Sequence, residues 1–297
     1  MEKTLTVFTP AYNRAHTIGR TYESLCRQTS KDFEWLVIDD GSTDNTRELV
    51  EQWMAHNNGF IIKYVWKENG GLHTGYNKAI ELINTELCVC IDSDDWMPDD
   101  AVEKILNKWS KEKSDRFAGI LGLDFYEDGN PIGGYFPEDV KSLKIIEMSA
   151  KYHHHGDVKV VHRTELMKQV APMPVFPGEK NFNPIYLFHK IDIHYPLLLL
   201  NDNLCFVEYQ TDGMSNNMIR QYLNSPRSFS EIRKLLMSRK DAPFLLKFKN
   251  AVHYISSQIM LRNKNWLKDS PNKTLTILAV PFGIVLYGII MYKSRHL

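Results

Sequence analysis

The 297-residue chain is poor in cysteine and carries no net charge. Its four cysteines show none of the paired spacings of zinc or redox sites, and two of them fall on one predicted strand, so we expect reduced thiols. The apolar stretch before Pro10 is too short for the core of a secretion signal. These absences argue against a secreted, disulfide-stabilised scaffold and favour a cytoplasmic protein. The cysteines are Cys26, Cys88, Cys90 and Cys205.

The balance of charge conceals an uneven distribution along the chain. There are 36 basic and 36 acidic residues in total, but the segment from Arg233 onward has 12 Lys and Arg against two acids. That segment therefore carries +10, and the preceding residues carry −10. An acidic front and a basic tail are expected to have different roles. We predict a domain over residues 1–225 and a helical extension over residues 226–297.

Short apolar runs alternate with helical patterns over the first 91 residues. The runs are rich in aliphatic, aromatic and β-branched residues, as buried strands are. Strand alternating with helix at this spacing predicts an α/β fold with a mainly parallel sheet covered on both faces. The predicted strands are residues 5–9, 33–38, 61–66 and 87–91, and the predicted helices are residues 17–28, 44–56 and 75–84.

Three carboxylates occupy four positions at the end of the fourth predicted strand, in the sequence Asp92-Ser93-Asp94-Asp95. Such a cluster repels itself unless a hard cation lies among the oxygens, which suggests Mg²⁺ or Mn²⁺. A surface turn is the alternative, because Asp and Ser are common in turns and Pro98 follows. Ligands of open parallel sheets bind outside the carboxyl ends of the strands, which favours a metal site that handles phosphate.

Polar segments also follow the other three predicted strands, at residues 10–14, 39–44 and 67–71. Asp39 and Asp40 stand before a Gly-Ser turn, and a helix cap alone does not account for two successive acids there. An aromatic residue, carboxylates and glycines together suit a nucleotide, which needs close approach of the backbone. We therefore expect four strand ends to form one nucleotide-binding cleft.

Taken together, these four motifs resemble the family 2 glycosyltransferases, whose catalytic domain has the nucleotide-sugar-binding α/β architecture called GT-A. The resemblance is dense over about the first 100 residues and continues more thinly to about residue 215. Near that end, residues 207–215 resemble the closing motif of the domain in bacterial polysaccharide transferases. The resemblance implies a GT-A fold and a nucleotide-sugar donor.

The resemblance also implies roles for individual residues. Asp39 would accept a hydrogen bond from the uracil ring of a uridine nucleotide, and Asp92 would face the ribose. Asp94 would bind the divalent metal, with Asp95 as a neighbouring metal ligand. The other implied nucleotide-binding residues are Pro10, Tyr12, Asn13, Arg14, Lys67, Asn69 and Gly71.

A general base must remove the proton of the acceptor hydroxyl, on the face of the sugar opposite the leaving group. Glu179 follows a Pro-rich segment in a position that resembles the second acidic motif of the family, and it is the first choice for this base. The alternative is an exposed loop glutamate paired with Lys180. Asp157 competes with Glu179 for the catalytic role.

The predicted function is metal-dependent, inverting transfer of a sugar from a nucleotide diphosphate to a hydroxyl of a lipid-linked or polysaccharide acceptor. A nucleotidyltransferase that makes nucleotide sugars is one alternative, but it would carry a Gly-rich, basic triphosphate loop in place of residues 10–14. A catalytically silent saccharide-binding protein is another alternative. A protein of that kind would be expected to lack the acidic residues that bind the metal, and this sequence contains them.

The basic tail contains two apolar segments. Residues 243–268 place apolar side chains three or four apart among lysines and arginines, which predicts a basic amphipathic helix. Residues 275–292 have no charge, but Pro281, Gly283 and Gly288 are expected to interrupt a helix there. We therefore predict peripheral attachment to the anionic inner face of the cell membrane, with a straight span and a helix docked on the domain as the alternatives. No nucleic-acid partner is expected, because the sequence has no recognition motif.

Overall fold

The computed structural model describes residues 3–208 and 217–295. Within these ranges the chain forms two compact units. The first unit comprises the described residues up to 172 together with 194–208, and the second comprises 173–193 and the described residues from 217 onward. A segment from the middle of the sequence therefore belongs with the tail.

An eight-stranded sheet forms the centre of the first unit. Its strands are β1 (Leu5–Ala11), β2 (Phe33–Asp39), β3 (Ile61–Trp66), β4 (Leu87–Cys90), β5 (Gly119–Phe125), β6 (Ser142–Leu143), β7 (Val158–Arg163) and β8 (Leu197–Phe206). Their spatial order is β3-β2-β1-β4-β7-β5-β8-β6. β1 to β4 are parallel, as are β5 and β8, whereas β7 is antiparallel to β4 and β5, and β6 is antiparallel to β8. The prediction of an α/β fold with a mainly parallel sheet is confirmed.

Helices cover both faces of this sheet. Those of the described first unit are α1 (Ile18–Arg27), α2 (Thr46–Met54), α3 (Leu72–Leu82), α4 (Ala101–Glu112), α5 (Ile145–Lys151) and α6 (Thr164–Val170). Val7 of β1 belongs to a buried cluster with residues of α1 and α4, while its neighbour Phe8 packs edge-on against Tyr76 of α3. Successive strand side chains point to opposite faces, so β1 is buried along its whole length.

The four strands and three helices predicted for the first 91 residues are confirmed, with small differences in their bounds. The third helix, α3, begins at Leu72 instead of residue 75. Gly71 precedes it with a φ of +93°, a backbone conformation that glycine adopts without strain. Strands β5 to β8 arise from segments in which the sequence reasoning identified no strand.

The described part of the second unit is helical. Its helices are α7 (Ile185–Asp192), α8 (Met218–Asn224), α9 (Pro226–Ser238), α10 (Phe244–Met260) and α11 (Lys273–Ser294). Tyr254 of α10 is fully buried, and its hydroxyl donates to the carbonyl of Trp266 (2.6 Å). The guanidinium of Arg239 is also fully buried, with Nη1 2.6 Å from Asp192 Oδ2 and Nη2 2.7 Å from Asp241 Oδ2. The domain boundary predicted between residues 225 and 226 stays a prediction.

The two predicted apolar segments of the tail are helices. α10 ends at Met260, before the predicted end at residue 268. α11 continues through Pro281 without a break, so the predicted interruption of this helix is wrong. The predicted closing motif at residues 207–215 lies almost wholly outside the described residues.

Candidate active site

The strand order brings the polar motifs to one edge of the sheet. β1 to β4 run in the same direction, so residues 12–14, 40–44, 67–71 and 92–95 all follow carboxyl ends at that edge. β7 runs in the opposite direction, and its amino end, with the preceding Asp157, therefore lies at the same edge. The four strand ends converge as the sequence predicts.

The loop after β1 is joined to the turn after β2 by hydrogen bonds. Asn13 has a φ of +53°, donates its backbone N–H to Ser42 Oγ (2.9 Å), and accepts from the N–H of Thr43 through Oδ1 (2.8 Å). Pro10 is buried within β1. Tyr12 is about half exposed, which leaves its ring free to stack on a planar ligand group.

Asp39, at the end of β2, is fully buried. Its Oδ1 accepts from the N–H of Ser42 (2.7 Å), and its Oδ2 accepts from the hydroxyl of Tyr64 (2.5 Å). Burial and this hydrogen bond raise the pKa of Tyr64, so its hydroxyl stays protonated and acts as the donor. Each carboxylate oxygen has a second lone-pair direction, and the predicted bond from Asp39 to a nucleobase stays a prediction.

Asp40 connects the second strand end to the third. Its Oδ1 and Oδ2 accept from the backbone N–H groups of Gly70 (3.0 Å) and Gly71 (2.7 Å). Lys67 forms an ion pair with the same carboxylate, and Asn69 Nδ2 donates to the backbone carbonyl of Asp40 (2.8 Å). Three residues predicted to bind nucleotide are thus held in place by a neighbouring acid.

The acidic segment after β4 divides into accessible and buried carboxylates. Asp92 is exposed and Asp94 is partly exposed, whereas Asp95 is only 5% exposed. Asp95 Oδ2 lies 3.7 Å from the ammonium of Lys159, on β7, and that ammonium lies 3.6 Å from Asp124 Oδ1, on β5. Asp92 and Asp94 are therefore the accessible members of the cluster.

Burial and like charges favour protonation in this segment. Burial, reinforced by the charge of Asp92, raises the pKa of Asp94, while the positive charge of Arg14 opposes that shift. Burial raises the pKa of Asp95 to about 8, against the opposing effect of Lys159. A cation among these oxygens would favour the ionised carboxylates, because it compensates the mutual repulsion that now disfavours them.

The backbone of the acidic segment is held from α1. Arg20 Nη2 donates to the carbonyl of Asp94 (3.3 Å), and its guanidinium lies over the ring of Trp96, 4.7 Å from the centroid. Arg20 Nη1 also lies 2.5 Å from Glu208 Oε2, just after β8. These contacts connect α1, the acidic segment and the end of β8.

The accessible carboxylates fit a hard cation. Within residues 3–208 and 217–295, no three His, Cys, Asp or Glu side chains are grouped to hold a metal ion. Mg²⁺ needs only one or two carboxylates when water and substrate phosphates complete its coordination, and Asp92 and Asp94 supply that set. Asp95 is engaged by Lys159, and its predicted role as a metal ligand stays a prediction.

The two candidate bases belong to different units. Asp157 is exposed and lies at the edge that carries the acidic segment. Glu179 is buried in the second unit, where its carboxylate accepts from the N–H groups of Arg227 (2.9 Å) and Ser228 (2.8 Å) and from the Ser228 hydroxyl (2.7 Å). Glu179 therefore caps the first turn of α9.

Sequence reasoning misses three residues of this edge, Tyr64, Lys159 and Asp124, and gives no individual role to Asp40. Asp40 stands directly after Asp39, so the second of two successive acids is an available signal. Lys159 and Asp124 lie on β7 and β5, for which no strand was predicted. A lysine between apolar residues, as in Val158-Lys159-Val160, is the signal that indicates a buried ion pair there.

A cavity of about 700 Å³ lies at the opposite edge of the sheet, around the start of β4 and the end of β7. Its polar side chains pair with one another: Glu86 accepts from Trp109 Nε1 (2.8 Å) and from Lys113 (3.1 Å). Arg163 pairs with Glu165 in the same way. This cavity is distinct from the edge that carries the motifs.

The fold and the strand-end motifs define a GT-A type of α/β protein. Residues 6–158, about half of the chain, match the family described as Glycosyl transferase family 2. The chain therefore belongs to glycosyl transferase family 2.

Similar proteins support this assignment. The chain is 30% identical over 245 residues to a chondroitin synthase of Pasteurella multocida (strain Pm70), a match that covers 80% of this chain and 25% of that protein. The chain spans a quarter or less of the length of the chondroitin and hyaluronan synthases that it matches.

Two solved structures share the fold. S. aureus TarS 1–349 in complex with UDP-GlcNAc has a TM-score of 0.59 and 18% identity, covering 99% of this chain and 92% of that one. The mannosyltransferase PcManGT of Pyrobaculum calidifontis, in complex with GDP-Man and Mn²⁺, has a TM-score of 0.58 and 16% identity, covering 99% and 84%. At these identities the likeness shows the fold.

Proposed function

We propose that the protein is a metal-dependent, inverting glycosyltransferase that moves a sugar from a nucleotide diphosphate, a uridine one, to a hydroxyl of a saccharide. The observation that carries the proposal is the accessible pair Asp92 and Asp94, at the edge where the motifs after β1, β2 and β3 converge. The ligands of the structures that share the fold, UDP-GlcNAc in one and GDP-Man with Mn²⁺ in the other, support the donor class and the metal.

On the donor side, we propose that Asp94 and Asp92 hold Mg²⁺ or Mn²⁺. The bound ion would stabilise the negative charge that develops on the departing diphosphate. Asp39 and Tyr12 would contact the nucleobase, since a buried acceptor and a half-exposed ring lie on neighbouring strand ends. Asp40 would keep the loop after β3 in the shape that receives the nucleotide.

On the acceptor side, we propose Asp157 as the general base. Asp157 is an exposed residue at the edge of the sheet that carries the acidic segment, whereas Glu179 is buried and caps α9. Glu179, the first choice from the sequence, is the alternative base. Glu179 would lose its hydrogen bonds to α9 if it accepted a proton, because a protonated carboxyl group is a poorer acceptor than a carboxylate.

We propose a polysaccharide or lipid-linked acceptor, reached at the inner face of the cell membrane by a peripherally attached cytoplasmic protein. The name of the similar Pasteurella protein, chondroitin synthase, supports a saccharide polymer as the product. The apolar helix α11 supports attachment to a membrane. The basic tail would be attracted to anionic lipid.

Donor hydrolysis across a panel of nucleotide sugars tests the proposal without knowledge of the acceptor. We expect a uridine donor to be hydrolysed in the presence of Mn²⁺ or Mg²⁺ and the reaction to stop in chelator. Asp94→Ala should lower the rate by roughly 100-fold or more, because a preorganised charge at the leaving group is lost. Far-UV circular dichroism should show an unchanged fold.

Asp99→Ala is the matched control. Asp99 is an exposed acid close to the acidic segment in sequence, and its ion pair with Arg27 lies on the surface, where such pairs contribute little. Its rate should equal that of the unsubstituted protein. Full turnover in chelator would defeat the metal assignment, and failure to hydrolyse any nucleotide sugar would defeat the proposal as a whole.

A further inference from the structure

Helix α11 presents a wide apolar face that no described residue of its own unit covers. Within the described residues it is the one helix long and apolar enough to cross a membrane, with a mean hydropathy of 2.2 and 28% of that stretch buried. Val285 is 62% exposed and Ile289 48% exposed. The other large apolar side chains exposed on α11 are Ile277, Leu278, Phe282, Ile284 and Tyr292.

The opposite face of α11 is already occupied by α10. Leu275 and Ala279 are buried in a cluster with Tyr254 of α10. Gly283 lies so close to α10 that an added Cβ would come within 2.4 Å of Ile255 Cγ2. α11 is therefore attached to α10 along one side and bare on the other.

α10 is in turn attached to α9 through polar groups. Asn250 Oδ1 accepts from Arg233 Nη1 (3.1 Å), and Gln258 Nε2 donates to Ser230 Oγ (2.7 Å). α9 also carries the ion pair of Glu231 with Lys234. The three helices are thus stacked in order α9, α10, α11, with polar and charged groups behind the apolar helix.

This stacking decides how α11 can meet a bilayer. If α11 crossed the membrane, α10 and α9 would be drawn into the hydrocarbon with it, and the solvent-accessible charges of α10, Lys247 and Lys249, would lose water. If α11 lies in the plane of one leaflet, its bare face enters the acyl region while α10 and α9 stay in water. The second arrangement keeps Lys247 and Lys249 in contact with water.

The charge of the tail favours anionic lipid, and not a second copy of this chain, as the partner that covers the bare face of α11. The segment from Arg233 onward has 12 basic residues and two acids, so two such tails repel each other. Lys273, Lys293 and Arg295 stand at the two ends of α11, where they meet the headgroups of anionic lipid when the helix lies flat.

We infer that the bare face of α11 docks in the plane of a single anionic leaflet and that this helix does not cross the bilayer. The inference rests on the membrane attachment proposed above and specifies its surface and orientation. It is independent of sugar transfer, because donor hydrolysis in solution reports on the active site whether or not the protein binds lipid.

Vesicle flotation of the full chain tests the surface. We expect recovery with vesicles of phosphatidylcholine and phosphatidylglycerol, and much weaker recovery with phosphatidylcholine alone. Val285→Glu together with Ile289→Glu should lower recovery at least tenfold while leaving donor hydrolysis unchanged. Met54→Glu together with Ile61→Glu, which adds the same two charges at exposed apolar positions of the first unit, is the matched control and should float like the unsubstituted chain.

Depth measurements with nitroxide-labelled cysteines test the orientation. Cysteines introduced at Ile277, Val285 and Tyr292 should report nearly equal depths, with the unsubstituted chain labelled in parallel to subtract its own thiols. A crossing helix would instead separate positions 277 and 292 by about 22 Å along the membrane normal. Such a staggered profile would overturn the inference.

Two other results would also overturn it. Unchanged flotation of the double variant would place the lipid contact elsewhere on the chain. Absence of flotation, combined with a dimer that Val285→Glu and Ile289→Glu convert to monomer in gel filtration, would make the bare face a self-association surface. In either case, intact donor hydrolysis would leave the proposed catalytic function standing.

Discussion

Asp40 shows how much of the candidate site depends on a residue that has no predicted contact with ligand. It accepts from two successive backbone N–H groups, at Gly70 and Gly71, and pairs with Lys67. Buried amides that lose their acceptor cost more than an ordinary hydrogen bond contributes. The shape of the loop after β3 therefore depends on this one carboxylate.

We predict that Asp40→Asn weakens binding of uridine diphosphate about tenfold, or ~1.4 kcal/mol. The amide nitrogen cannot accept from a backbone N–H, and the ion pair with Lys67 is lost. Titration calorimetry with uridine diphosphate and Mn²⁺ measures the effect. Glu68→Gln removes an exposed charge from the same loop and should bind normally. An equal loss of affinity for uridine diphosphate in the Asp40 and Glu68 variants would contradict a positioning role for Asp40.

The two candidate bases predict different responses to loss of charge. Asp157→Asn should lower the rate of donor hydrolysis by about 10²–10⁴ with unchanged affinity for uridine diphosphate, as expected for loss of a base. Glu179→Gln should chiefly lower the stability of α9, by about 1 kcal/mol, as expected for a weakened cap. The rate of donor hydrolysis and the thermal unfolding temperature, measured for both variants, test these two expectations. The reverse pattern would assign the base to Glu179.

At the scale of elements, the sequence predicts buried parallel strands well and the remaining strands poorly. β1 and β2 are buried along their length because helices cover both faces, so their largely apolar pattern is visible in the sequence. β8 contains Asn201, Asp202 and Asn203, and its pairing with β5 shifts register. β7 carries Lys159 at a buried position. Such strands depend on partners distant in sequence, which periodicity does not reveal.

The two glycines of α11 illustrate the same dependence on partners. Both were predicted to interrupt a helix, but the helix is continuous, because its contact with α10 outweighs weak local propensity. Gly283 permits the close approach of α10, whereas a Cβ at Gly288 would meet no heavy atom within 4 Å. The sequence alone does not distinguish these two positions.

We therefore predict opposite effects of adding one methyl group. Gly283→Ala should destabilise the contact between α10 and α11 by about 1–3 kcal/mol, because the methyl group overlaps Ile255. Gly288→Ala should stabilise α11 by roughly 0.5–1 kcal/mol, since alanine is the better helix former. Hydrogen exchange of peptides from the two helices measures both. We expect faster exchange in the Gly283 variant and slower exchange in the Gly288 variant. Faster exchange in the Gly288 variant, or an unchanged exchange rate in the Gly283 variant, would contradict the packing described for α11.

At the scale of the whole molecule, motif order predicted where the sheet lies better than it predicted the path of the chain, and the different roles expected of front and tail stay a prediction. The acidic front contains the sheet and the motifs, and family membership is established over residues 6–158. The place of residues 173–193 in the helical unit was not predicted. That placement depends on contacts such as Arg239 with Asp192, which are close in space and 47 positions apart in sequence.

The buried Arg239 limits how this protein can be shortened. A chain that stops at residue 225 would keep Asp192, which is 2% exposed, but would lose the guanidinium that neutralises it. Glu179 would likewise remain without the helix that it caps. Two acids without their partners would make such a fragment prone to misfold. Expression of the unit that contains the sheet therefore requires either that the tail be retained or that residues 173–193 be redesigned.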